Sequence, residues 1–339
     1  MRTFTQEEVK GVKMNITDIA KLAGVSRATV SRYLNEGYVS EEKRKKIREV
    51  IDETGYTPSL QAQILRTKKS RVIGVIAPKV SSGSIARIVD GICAELARQE
   101  YHVFLGNAAD SIARECDYLE LFKNNGIDGV ILVATSITER HRELIEKMPV
   151  PVVVIGQRCE VCSNVYFDDA QAAEEITSLM LKKRREHLAY FGVGGAVQSV
   201  GSMRYQGFLE AVKKAGLNPD EIIIKNCDFT LHSGYVQAKK LLDEGCCVKG
   251  IVCATDTVAA GVVYAFKEAG FRIPEDVCIS GIGDSIMSAI ITPALTTVRY
   301  KYAAAGEEAA KMIIGLSESG KRKTKNKLLK HTLILRETL

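Results

Sequence analysis

The stretch from Asn15 to Asn35 limits what this chain can become more than any other, because its punctuation fits two short helices joined by a tight turn. Asn15 is a good N-cap, and Asp18 three residues on can answer it while favouring the positive helix end. Ile16, Ile19, Ala20 and Ala23 then fall at the spacing of one helical face. Gly24 can take a positive φ and end the first helix. Ser26 caps the second. Val25, Val30 and Leu34 turn inward, which leaves Arg27, Ala28, Ser31 and Arg32 facing out. Two readings suit this layout. One is a solvated hairpin with a charged face. The other is a helix-turn-helix whose second helix lies in a DNA major groove with its N-terminal residues on base edges. Arginine suits the second role, since its fork can bond O6 and N7 of one guanine.

Charge placement separates this region from the rest. Residues 1–70 hold 14 Lys and Arg against 9 Asp and Glu, so they carry +5 of the net +6 and leave +1 for the other 269 residues. A basic head on a near-neutral body points the head at a polyanion. Residues 1–13 are polar, precede the first cap and are expected to be disordered or adventitious, with Met14 as a second candidate start. After Asn35 comes a turn with Gly37, then Ser40 as a third N-cap, then Ile47, Val50 and Ile51 on one face, and Gly55 as a stop. Three helices in so few residues make a marginal core, which is expected to lean on DNA or on a partner subunit.

Tyr56–Arg66 reads as a further helix of barely two turns, with Pro58 in its first turn and Leu65 exposed. Alone it is too short to be stable in water. It is either an interdomain linker or a helix that folds on binding, with an apolar side chain wedged between base steps of the minor groove.

From Arg71 the pattern changes to strands alternating with helices. Val72–Ala77 has the continuous apolar run of a buried parallel strand. Further strands are predicted at Tyr101–Gly106, Gly129–Val133 and Val152–Gly156 and, after Asp168, at Leu188–Val193, Glu221–Lys225, Gly250–Ala254 and Val277–Gly281. The expected fold class is therefore α/β: a helix-turn-helix head and hinge helix, then two lobes, each a doubly wound parallel sheet. Ligands in such folds sit at the carboxyl ends of the strands, and two facing sheets make a cleft there. The residues at that address are Ser82, Asn107, Gln157, Asp168, Arg204, Phe229, Asp256 and Asp284. Polar groups with one aromatic face suit a polyol, whose vicinal hydroxyls an arginine fork can bridge. Individually each of them also reads as a helix cap or a turn residue.

Other signals are weaker. Cys159-Glu160-Val161-Cys162 lacks the second ligand pair of a structural zinc site, and a polar loop is expected after it rather than the helix of a redox motif, so it reads as structural. Gly192-Val193-Gly194-Gly195 lacks the third glycine and downstream acid of a dinucleotide fingerprint. Five histidines show no catalytic or ligand spacing, and no nucleophile elbow or Walker motif occurs. No catalytic residue, cofactor or metal is expected. No apolar run reaches membrane-spanning length and no secretory leader is evident, which places the chain in the cytoplasm with nine reduced cysteines.

The motifs together resemble the lactose-repressor (LacI/GalR) family of bacterial transcription regulators. The likeness rests on Asp18-Ile19-Ala20, Ala23-Gly24-Val25-Ser26, Thr29-Val30-Ser31-Arg32 and Leu34-Asn35, and continues through Gly55-Tyr56, Pro58, Ala62 and Leu65. Ser59 and Gln63 depart from the residues common at their positions, which bears on the phosphate contacts of the hinge. Gly281-Ile282-Gly283-Asp284 and the strand end at Gln157 look most like the sucrose-operon repressors of the family. The resemblance implies a repressor of a carbohydrate-utilisation operon, relieved by a sugar or sugar phosphate. It implies DNA contacts from Thr17, Ser26, Arg27, Ala28, Thr29, Ser31, Arg32 and Asn35, with Ala62 and the wedge Leu65 in the hinge. It places Arg204, Phe229 and Asp256 on the effector. With no heptad tail after the final strand, which is expected at Leu328–Leu335 to close the second sheet, a homodimer on a pseudo-palindromic operator is expected.

The implied layout is an N-terminal extension at 1–13, a DNA-binding domain at 14–57, a hinge at 58–70 and an effector and dimerisation domain at 71–339. Its first lobe is expected at about 71–167 plus 285–318, and its second at about 168–284 plus 319–339. Rival readings are a catabolite regulator with a phosphoprotein coeffector, a two-lobed solute-binding protein, and a Rossmann-type enzyme.

Overall fold

In the computed structural model the described residues are 14–35, 37–56, 69–183, 187–194, 199–245, 247–320 and 324–339. The chain divides into two compact units, Met1–Ser70 and Arg71–Leu339.

The first unit holds three helices: α1 (Ile16–Leu22), α2 (Arg27–Tyr33) and α3 (Glu41–Thr54). Local chemistry sets their ends. Asn15 Oδ1 accepts from the backbone N–H of Thr17 (2.8 Å) and Asp18 (3.3 Å), while Asp18 Oδ2 accepts from Asn15 N–H (3.0 Å), a reciprocal capping box. Gly24 has φ +64°, and Gly55 ends α3 at φ +62°, left-handed conformations that glycine adopts without strain. Ser40 precedes α3 as expected but makes no side-chain cap bond. Ile19, Ala20, Ala23, Val30, Val39 and Ile47 form the core. The hinge calls at Pro58, Ser59, Ala62, Gln63 and Leu65, and the N-terminal extension at 1–13, lie outside the described residues.

The second unit contains two parallel sheets. The first has strand order β11-β5-β4-β3-β1-β2, built from β1 (Val72–Ala77), β2 (His102–Asn107), β3 (Gly129–Val133), β4 (Val152–Ile155), β5 (Ser163–Phe167) and β11 (Asn326–Leu329). The second is β7-β6-β8-β9, from β6 (Leu188–Val193), β7 (Ile223–Cys227), β8 (Gly250–Cys253) and β9 (Cys278–Ser280). Every pairing within these two sheets is parallel. Helices α4 (Gly83–Arg98), α5 (Ile112–Lys123), α6 (Glu139–Glu146) and α12 (Tyr302–Ser319) serve the first lobe. Helices α7 (Asp169–Lys183), α8 (Val200–Lys214), α9 (Leu231–Asp243), α10 (Asp256–Glu268) and the short α11 (Ile286–Ile290) serve the second. Where α4 crosses α12 the backbones touch: a Cβ at Gly91 would stand 2.0 Å from the Ala303 carbonyl oxygen, so only glycine fits. No helix among the described residues is long and apolar enough to cross a membrane.

Four expectations need correction. The residues after Cys162 are not a polar loop but β5, whose polar Ser163 and Asn164 are buried because they tie strands together. Asn164 N–H donates to Lys325 O (2.9 Å), and Asn164 Nδ2 donates to Asn326 Oδ1 (2.9 Å). Those bonds pull β11 onto the first sheet, so the chain end does not run as one strand closing the second. Leu328–Leu335 instead breaks at Lys330, and β12 (Thr332–Ile334) pairs antiparallel with β10 (Thr297–Arg299). Finally, Ser285–Val298 sits with the second lobe rather than the first: Ser280 bridges to Thr296, and Gly281 N–H donates to Thr296 O (3.0 Å). The start of β7 also moves to Ile223, because Pro219–Glu221 forms a 3-10 turn capped by Asn218.

Candidate functional site

In the head, α2 presents its N-terminal half outward. Arg27, Ala28 and Arg32 are exposed, Ser31 and Thr29 are half-buried, and Thr17 on α1 is exposed. The Arg27 and Arg32 guanidinium groups have no protein partner among the described residues. Ser26 Oγ is otherwise engaged: it accepts from Thr29 N–H (3.2 Å) and lies 2.9 Å from Thr29 Oγ1. Asn35 donates its amide to the Ser31 carbonyl. Sequence reasoning passed over Tyr38, 90% exposed in the turn after α2, because its flanks Gly37 and Val39 read only as a connector.

In the second unit the predicted residues gather at strand ends. Ser82 follows β1 and its hydroxyl lies 3.1 Å from Ser84. Asn107 ends β2 and accepts from Val80 N–H (3.3 Å). Gln157 follows β4, is buried, and its amide has no hydrogen-bond partner among the described residues. On the second lobe, Arg204 of α8, Phe229 after β7, Asp256 after β8 and Asp284 after β9 stand at the matching ends.

Arg204 is the centre of this arrangement. It is buried; its Nε donates to Asp169 Oδ1 (2.8 Å) and its Nη1 to the Ala254 carbonyl at the end of β8 (2.6 Å). Nη2 has no protein acceptor among the described residues. Burial works against the charge of Arg204, but Asp169 outweighs it and keeps the guanidinium protonated. The Tyr300 hydroxyl also donates to Asp169 Oδ1 (2.9 Å), and the guanidinium carbon lies 5.6 Å from the Tyr300 ring centroid. Tyr300 belongs to an aromatic cluster with Phe167 and Tyr302, placed where the chain passes between lobes. From the first lobe, Arg87 lies 4.8 Å over the Tyr302 ring and donates to the carbonyls of Gly283 (3.1 Å) and Asp284 (3.2 Å). A second link across the lobes is Val200 N–H to Thr135 O (3.1 Å).

The other carboxylates differ in their work. Asp168 accepts from Gln171 N–H (2.9 Å) and caps the start of α7, so its neighbour Asp169 is the one that meets the arginine. Asp256 is buried and accepts from Thr297 Oγ1 (2.5 Å) and Ser285 N–H (2.6 Å); burial pushes its carboxyl up from the usual range despite those bonds. A Cβ at Gly281 would come within 2.7 Å of Asp256 Oδ1, which explains a glycine there. Asp284 is clamped by Arg299 (2.5 Å) and Arg336 (2.6 Å); against the pull of burial, the two guanidiniums hold it below the usual carboxylate range. Phe229 is 46% exposed and offers an open ring face. Asp169, Tyr300, Tyr302 and Arg87 escaped the sequence reading. For Asp169 a signal existed in the Asp168-Asp169 pair, but helix phase alone chose between them.

Comparison with known proteins agrees with both halves. Residues 15–59 match the bacterial regulatory proteins of the lacI family, and residues 178–339 match a periplasmic binding protein-like domain. The chain is 31% identical to the HTH-type transcriptional regulator RegA of Clostridium saccharobutylicum over 96% of this chain and 98% of that one. It is 30% identical to the sucrose operon repressor of Staphylococcus xylosus over 87% and 91%. A crystal structure of the lac repressor dimer bound to operator and an anti-inducer shares the fold, with TM-score 0.86, 23% identity and coverage of 96% and 99%. With its capped helix-turn-helix, its pair of parallel sheets and full-length relatives at this identity, the chain belongs to the lacI family of bacterial regulatory proteins.

Proposed function

We propose that this protein is a sequence-specific transcriptional repressor of a carbohydrate-utilisation operon, released from its operator by a sugar or sugar phosphate bound between the lobes. It acts in the cytoplasm as a homodimer on a pseudo-palindromic site, without cofactor or metal, and catalyses no reaction. Residues 14–57 read DNA, 58–70 form the hinge, and 71–339 bind effector and partner subunit. Arg27, Ala28 and Arg32 reach base edges, with Thr17, Ser31 and Asn35 beside them. Ser26 and Thr29 serve mainly to hold the start of α2 in place, because their hydroxyls bond each other.

The observation that carries this reading is Arg204. A buried arginine with two of its donors locked on Asp169 and Ala254 has a third nitrogen that meets no acceptor among the described residues and is available to a ligand oxygen. Phe229 supplies a stacking face, and Gln157 supplies an amide from the opposite lobe. Ser82, Asn107 and Asp168 line the same strand ends, while Asp256 and Asp284 act through the geometry of the Gly281–Ser285 turn. Effector binding favours one relation of the lobes; a coupling of about 1–3 kcal/mol is enough to shift the DNA-bound state.

A thermal-shift screen of mono- and disaccharides and their phosphates tests the reading. A ligand at a hundred times its Kd stabilises the folded state by about 2.7 kcal/mol. The hit should also lower operator affinity in a gel-shift titration. A hit that raises the melting temperature and leaves operator binding untouched removes the inducer role.

A further inference from the structure

The loop between β4 and β5 carries chemistry that ligand and DNA binding do not use. Cys159-Glu160-Val161-Cys162 forms a turn centred on Glu160 and Val161. Both cysteines are buried free thiols, 3% and 5% exposed. A four-residue turn brings its end Cα atoms within about 7 Å, and disulfides span Cα separations of roughly 4.4–6.8 Å. The loop is held in this shape from outside: Asn164 Nδ2 donates to both the Cys159 carbonyl (2.7 Å) and the Cys162 carbonyl (3.2 Å).

The two sulfurs are also paired chemically. The neighbouring Cys162 thiol, and after it the backbone N–H groups of Val161 and Cys162, favour the Cys159 thiolate. Together with the nearby charge of Arg142, these donors lower Cys159 to about 7 against the opposing effect of burial. Cys162 is pushed up, because it holds the shared proton and is buried. One sulfur is thus a ready nucleophile and the other its protonated neighbour. Cys162 also lines a pocket of about 220 Å³, open on one side, with Ile145, Met148, Val150 and Leu316 around it. A small neutral oxidant can approach the loop from its Cys162 side.

We propose that Cys159 and Cys162 are a modification site, a paired dithiol that a hydroperoxide converts to an intraloop disulfide. The Cys159 thiolate attacks the terminal peroxide oxygen. The S–O bond forms, the O–O bond breaks, and the departing alkoxide or hydroxide takes a proton from solvent, leaving Cys159 as a sulfenic acid. Cys162 sulfur then attacks the sulfenic sulfur; the S–S bond forms, the S–O bond breaks, and hydroxide leaves with the proton of Cys162 as water. The two sulfurs lose two electrons and the peroxide gains them. An external thiol reverses the product. The site is independent of the ligand proposed for the cleft.

The sequence makes the test direct. Trypsin cuts after Arg158 and next after Lys182, so both cysteines fall in one peptide. Reduced full-length protein is treated with hydrogen peroxide, alkylated, digested and weighed. The 159–182 peptide should lose two hydrogens and resist alkylation, and dithiothreitol should restore it, at doses that leave the exposed Cys247 alkylatable. The rate should fall as pH drops through about 7 and Cys159 takes up its proton. In Cys162→Ser, Cys159 should instead trap dimedone as a sulfenic acid. The proposal is overturned if the wild-type peptide keeps both thiols at doses that oxidise Cys247, whatever the variant does.

Discussion

Arg27 and Arg204 show how differently one side chain is handled in the two units. Arg27 opens α2, stands in solvent and has no protein partner among the described residues. Arg204 is buried, bonded to a carboxylate and a carbonyl, and faces an aromatic ring. The first is free to meet a ligand as large as a duplex, whose phosphates attract the basic head from a distance. The second is held in place before any ligand arrives, so in the role proposed for it binding would immobilise little of the protein. The difference teaches that, under the proposed roles, function on the head is separable from stability, whereas in the cleft the two share residues.

The largest expected effect is therefore in the cleft. Arg204→Ala should cost about 3–5 kcal/mol in chemical unfolding of the second unit, because Asp169 is left buried without its counter-charge. It should also abolish the response to sugar while operator binding persists. The partner exposed by the loss is Asp169 and not Asp256, whose oxygens are held by Thr297 and Ser285. Replacing both members, with Asp169→Ala and Arg204→Met, should recover part of the stability; strict additivity of the single losses would refute the coupling.

Arg27→Ala should be the reverse case. It should weaken operator binding by about 1–3 kcal/mol and relax discrimination at one base pair per half-site. Unfolding should shift by less than about 0.5 kcal/mol. Equal weakening on operator and random DNA would reduce Arg27 to a phosphate contact.

Asn15→Ala tests whether the head tolerates loss of a local bond. Removal of the capping box should cost about 1 kcal/mol of head stability, read from hydrogen exchange in α1. An unchanged exchange rate would place the anchor of α1 in its packing alone.

A smaller effect, under about 1 kcal/mol because Arg299 is half exposed, belongs to the Asp284 clamp. Its carboxyl is held low in the folded state, so its contribution is present above the unfolded pKa and is lost as pH falls through the folded one. Asp256, pushed up by burial, has the opposite sign: its contribution is full below the unfolded pKa and fades as pH rises through the folded one. Asp284→Asn should lower stability at neutral pH and flatten the acid limb of the stability profile. An acid limb with unaltered slope would detach the clamp from acid unfolding.

The smallest stability effect is expected at Phe229, half exposed at its strand end. Phe229→Ala should leave unfolding within about 0.5 kcal/mol of the parent yet weaken sugar binding measured by calorimetry. A change confined to stability would return Phe229 to the ordinary surface.

Much of the architecture was legible in the residues, for local reasons. Asn15 with Asp18, Ser26, Gly24 and Gly55 punctuate the head through bonds and dihedrals that span only a few positions. The apolar runs at Val72–Ala77, Gly129–Val133 and Leu188–Val193 are buried strands, because a parallel sheet covered on both faces admits little else. Strand ends could be read as a candidate site because the fold places them at one address.

What the sequence by itself determined is thus the set of elements and the class of fold they make, since caps, turns and buried runs act within a few residues. Tertiary structure alone decided which distant groups meet. Arg204 found Asp169 across 35 positions, and helix phase gave the neighbouring Asp168 a capping role instead. Asn164 and Asn326, 162 positions apart, assigned the last strand to the first sheet. Arg87 reached Gly283 and Asp284 from the other lobe across nearly two hundred positions. Nothing in local propensity chooses among equally polar candidates at such separations; the choice follows from which backbone the packing of the two sheets and their helices brings within hydrogen-bonding distance.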